Sequence, residues 1–105
     1  MKHRLQPLRI PIGWRVDYNE FHEIDQDDAD AWHWWKESLL QLNHERRGRM
    51  LDLGWYPPED GSGRYVLVMH AGDFTGPELE RVESRDRTEI VAEIERLAAE
   101  VNKRP

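Results

Sequence analysis

Acidic and aromatic side chains supply most of what could do chemistry in this sequence. The segment Asp17 to Glu37 holds eight carboxylates (Asp17, Glu20, Glu23, Asp25, Asp27, Asp28, Asp30 and Glu37) against the single cation Lys36. It carries about seven net negative charges by this count, while the whole chain carries −6. Four of the aspartates, Asp25, Asp27, Asp28 and Asp30, invite comparison with an EF-hand calcium loop. The comparison fails: with Asp25 at position one, Asp30 falls where the loop needs glycine and Lys36 where it needs the bidentate glutamate. The five histidines show no HExxH or related ligand spacing, and there is no cysteine for a thiolate site or a disulfide. Ser38, Ser62 and Ser84 lie in no G-x-S-x-G context, and GSGR lacks the spacing of a phosphate loop. Nothing selects one carboxylate pair among 21 acids for acid–base work. The expectation is a protein without enzymatic activity, metal or cofactor.

The same segment threads Tyr18, Phe21, Trp32, Trp34 and Trp35 among its acids. In a small protein large aromatics are core more often than interface. Three tryptophans in four positions, however, cannot all point inward on a strand or a helix, so at least one is expected at the surface. Exposed indole beside carboxylate is what an interface for a cationic partner presents. The candidate partner-binding residues are therefore Asp17, Tyr18, Glu20, Glu23, Asp25, Asp27, Asp28, Asp30, Trp32, Trp34 and Trp35. The plainer alternative is an interaction module with its tryptophans buried and its acidic loop merely solvated.

The elements that would position these residues are legible in outline. At 105 residues and 12.5 kDa the chain fits one domain, 1–105. Pro7 and Pro11 force Arg4 to Ile12 into an extended path, at most an edge strand or a packed arm. Alternation of Trp14, Val16 and Tyr18 with polar neighbours predicts a strand from Trp14 to Phe21. The acid-rich stretch His22 to Asp30 reads as loop, and the tryptophan run fits helix or strand. A hairpin follows, with strands from about Ser38 to His44 and from Met50 to Trp55 around the turn Glu45-Arg46-Arg47-Gly48. Leu51, Leu53 and Trp55 share one face. RYVLVMH is apolar on both faces, as a central strand covered on at least one side would be, and LERVES is a further short strand. Asp86-Arg87-Thr88-Glu89 has capping-box spacing, and Ile90, Ile94, Leu97, Ala98 and Val101 recur at helical intervals. The predicted fold is α+β: an antiparallel β-meander of about four to five strands covered by one C-terminal α-helix.

A net charge of −6 and a pI near 5.3 argue against nucleic acid and anionic membranes as partners and point to a basic protein. The arginines of Glu45 to Arg49 more often decorate a hairpin than read phosphate. MKHRLQPLRIPIGW contains no continuous apolar run, so neither a secretory signal nor a membrane span is predicted there, and a cytoplasmic location is expected. A sheet edge such as Trp14 to Phe21 leaves monomer and weak dimer as the oligomeric alternatives.

The order of the phrases GWRVDYNEFHEID, SLLQLNHERRGRMLDLGWYPPEDGSGRYVLV and SRDRTEIVAEIERLA resembles that of small acidic bacterial immunity proteins, which neutralise the C-terminal toxin domain of polymorphic or contact-dependent growth-inhibition systems. The resemblance is one of layout over most of the chain. It implies an α+β cytoplasmic protein that binds its cognate toxin and covers the active site or substrate channel without doing chemistry. Such toxins are often nucleases with basic clefts. No residue role transfers, because immunity surfaces differ with the toxin they meet.

Overall fold

The computed structural model describes residues 4–25, 28 and 31–103. Its framework is one antiparallel sheet of five strands in sequential order: β1 (Arg15–Asn19), β2 (Leu40–His44), β3 (Arg49–Tyr56), β4 (Arg64–Ala71) and β5 (Glu78–Ser84). A single helix, α1 (Arg87–Lys103), follows. This is the α+β meander with a C-terminal helix that the periodicities predict.

Period-two patterning assigns the two faces of the sheet. Leu40 and Leu42 on β2, Leu51, Leu53 and Trp55 on β3, and Tyr65, Leu67 and Met69 on β4 are all buried on one side. They meet Ile90, Ile94, Leu97, Ala98 and Val101 of α1 in one hydrophobic cluster. Burying side chains of this size stabilises by roughly 1.5–3 kcal/mol each. Asp86 caps α1: its Oδ1 accepts from the amides of Thr88 (2.9 Å) and Glu89 (3.4 Å), as the capping-box spacing requires. Gly48 turns the β2–β3 hairpin with φ of +61°, a conformation that costs other residues strain.

Two local readings need adjustment, and one alternative is resolved. β1 is shorter than the predicted Trp14 to Phe21, because Gly13 turns the chain before it and a bulge between Val16 and Tyr18 interrupts its pairing with β2. That bulge also blunts an edge otherwise open to another strand. The tryptophan run is neither α-helix nor strand but one turn of 3-10 helix, Ala31–Trp34. Leu39 and Lys36 then hydrogen-bond along β3, with Leu39 N donating to Leu53 O and Trp55 N to Lys36 O, both 2.8 Å. The N-terminal arm is packed rather than built into the sheet. It makes one isolated bridge, Leu5 to His22, and lays Leu8 and Ile10 against the core.

Candidate functional site

The acidic aromatic segment separates into internal and external parts. Trp35 is 1% exposed and stacks on Trp55, with centroids 4.1 Å apart and an interplanar angle of 18°. Tyr65 meets both rings edge-on. This corrects Trp35 as a contact candidate: its indole holds the sheet to the 3-10 turn and offers no surface. Trp34 is half-buried against the core and lies 4.4 Å from the His22 ring. Trp32, at 47% exposure, is the outward indole of the three, and Tyr18 on β1 is 41% exposed.

The carboxylates divide in the same way. Asp17 is held by Arg15 Nε (2.5 Å) and by Asn43 Nδ2 (2.6 Å), and the Arg15 guanidinium keeps its carboxyl below the usual carboxylate range. Asp25 pairs with Arg87 at the start of α1 (3.1 Å), so it fastens the loop to the helix. Asp28 Oδ2 accepts from the Asp25 amide (2.9 Å), closing a local turn. Glu20 lies 3.8 Å from His22 Nε2, a contact that is ionic only when the imidazole is protonated. Glu23 is exposed. Asp27 and Asp30 lie outside the described residues. Among the described residues no group of three His, Asp or Glu is placed to hold a metal ion. Tyr18, Glu20, His33, Trp34, Lys36 and Ser38 line a groove of about 420 Å³ between β1 and the 3-10 turn.

A second concavity, which the sequence reading did not single out, occupies the sheet face opposite α1. Directly opposed residues share a face. The pairings Tyr18 with Gln41, Gln41 with Asp52, Asp52 with Val68, and Val68 with Arg81 therefore form one row across all five strands. At its centre is a cavity of about 490 Å³ whose lining includes Asp52, Tyr56, Val66, Val68, His70 and Arg81. Val66 and Val68 are buried although no helix covers this side. Gly54 permits the close approach of the 36–39 segment, since a Cβ there would lie 1.9 Å from Glu37 O. Tyr56 then donates its hydroxyl to the same carbonyl (3.2 Å).

The charges of this face are unequally matched. Arg64 and Arg81 both bind Glu83, at 2.5 and 2.8 Å, and Arg81 also reaches Glu78 at 3.0 Å. Two cations are thus matched by two anions. Asp52 is the remaining charge: burial pushes its carboxyl up, opposed by the nearby His70 and a hydrogen bond from Gln41, and its Oδ1 is shielded from water without a partner. His70 donates Nδ1–H to Gly76 O (3.1 Å), which fixes the orientation of its ring beside the cavity. The signal available in sequence was the apolar doublet Val66 and Val68 on the face of β4 that the helix does not need, with Asp52 in register beside it.

Comparison of the chain with protein-family models, curated proteins and solved structures gives no match. Function must therefore be argued from the geometry. No helix among the described residues is long and apolar enough to cross a membrane.

Proposed function

We propose that this chain is a non-catalytic binding protein of the immunity type, which captures a basic protein partner in the cytoplasm and blocks it. The partner of best fit is a cognate toxin domain, most simply a nuclease whose cleft is cationic. The observation that carries the reading is the half-exposed pair Trp32 and Tyr18 beside the groove of Trp34 and Glu20. Large amphipathic rings next to carboxylates are what desolvates well against cationic surface. Glu20 lines this groove and Glu23 and Asp28 are exposed, whereas Asp17 and Asp25 are already paired within the fold.

The stacked Trp35 and Trp55 favour a second reading, in which the aromatic content is structural and the protein is an interaction module of another kind. Co-expression separates the two. The product of the adjacent reading frame is expressed with and without the present chain, and growth is followed. Rescue by the wild-type chain is expected, with at least about tenfold weaker binding of the purified Trp32→Ala variant, as for an interface anchor. Undiminished toxicity in the presence of well-expressed chain would exclude the immunity reading.

A further inference from the structure

The 490 Å³ cavity on the open sheet face has a feature that the exposed aromatic groove lacks: a carboxylate at its floor, Asp52, one of whose oxygens the fold leaves without a hydrogen bond. We propose that this cavity receives one arginine side chain of a protein partner, with Asp52 as its counter-charge. The inference rests on the reading of the chain as a protein-binding module, and it places a specific contact on a face not assigned by that reading.

Four observations support this occupant. First, the arginines on the rim are already matched by Glu78 and Glu83, so Asp52 at the floor, only partly compensated by Gln41 and His70, suits one cation. Second, the floor beside Asp52 is Val66 and Val68, an apolar strip against which the methylene stem of a long cationic side chain lies well. Third, Tyr56 and Phe74 also line the cavity, and Phe74 is 68% exposed. Aromatic faces of this kind favour a flat guanidinium over a hydrated ammonium. Fourth, the row from Tyr18 through Gln41 to Asp52 connects the cavity with Tyr18, the outward aromatic ring of β1, so one partner can span both. The shielded Oδ1 is not an obstacle, because the terminal torsion of aspartate is soft and its rotation presents either oxygen to the cavity. A carboxylate that accepts two guanidinium N–H groups gains charge-assisted bonds beyond the single one from Gln41.

The test uses small probes and does not require the partner. Amide chemical shifts of the full chain are followed at low salt during titration with Nα-acetyl-arginine amide, with the neutral isostere Nα-acetyl-citrulline amide, and with Nα-acetyl-lysine amide. Expected are saturable shifts centred on Asp52, Gly54, Val66 and Val68 for the arginine probe, with a dissociation constant on the order of millimolar for so small a ligand. The citrulline probe should leave these amides in place, and Asp52→Asn should weaken arginine binding by about tenfold or more. Equal response to arginine and citrulline overturns the proposal, and that comparison on the wild-type chain holds even if Asp52→Asn does not fold. A lysine probe that binds as tightly as arginine overturns the choice of guanidinium. Should the probes fail here while the chain still rescues growth, the cavity assignment falls and the immunity reading stands; probe binding without rescue has the opposite meaning.

Discussion

Asp52 is the residue where stability and binding compete. Its half-buried carboxylate lies beside valines, with His70 and Gln41 as partial compensation, and burial raises its pKa. The native carboxyl therefore holds its proton to higher pH than the unfolded one. Stability is then lost as pH rises from the unfolded carboxylate range through the raised native value, and is level above it. Asp52→Asn removes this loss. The variant should be more stable than wild type at neutral pH by about 1 kcal/mol, a modest figure because the group keeps part of its solvation. The advantage should shrink on acidification toward pH 4. Urea unfolding of both proteins at several pH values measures it, and a difference independent of pH would show that Asp52 is not titrating in this way. A residue retained at a cost to the free fold is what a binding contact looks like before its partner arrives.

Strands and helix were legible because each carries its own period. Leu51, Leu53 and Trp55 give away the inward face of β3, and the capping box followed by Ile90 and Ile94 marks where α1 begins and which side it buries. The 3-10 turn was not legible: Ala31–Trp34 is four residues long, too short for either period to declare itself. The inward turn of Trp35 depends on Trp55, twenty positions later in the chain, and the engagement of Asp25 depends on Arg87, which is farther still. The open-face cavity escaped for the same reason, since it exists only once Asp52, Val68 and Arg81 come into register. The cap supplies a direct check on the element most clearly written in sequence. Asp86→Ala removes the acceptor for two helix amides and should cost about 1 kcal/mol. For a domain near this size that lowers the thermal midpoint by about 4–8 °C, whereas Asp86→Asn keeps a competent cap and should fall only slightly. Equal losses in the two variants would mean that the side-chain cap is not what holds the first turn of α1.

Across the whole molecule the negative charge is concentrated in one segment, and that concentration acts at a distance where the aromatic rings act only in contact. Net charge outside Asp17 to Glu37 is close to zero, so an approaching cationic protein is drawn toward the flank where Trp32 and Tyr18 stand half-exposed. Long-range attraction of this kind sets the rate of encounter and is screened over roughly 8 Å at physiological salt. Desolvated ring contact, by contrast, sets how slowly the complex comes apart. The two parts should therefore separate kinetically. Replacing Asp25, Asp27, Asp28 and Asp30 together by Asn should slow association by about tenfold at low salt, remove most of its salt dependence, and change dissociation little. Trp32→Ala should do the reverse, leaving association within about twofold and accelerating dissociation by about tenfold or more. Because Asp25 also fastens the loop to Arg87, the single variant Asp25→Asn is the necessary control. If it alone reproduces the quadruple effect, the loss reflects a released loop and not a weakened field. Stopped-flow association of the purified pair at several salt concentrations reads both arms. Association that stays equally fast from low to high salt in the wild-type chain would remove electrostatic steering from the mechanism, and the outward rings would then have to supply both recognition and affinity.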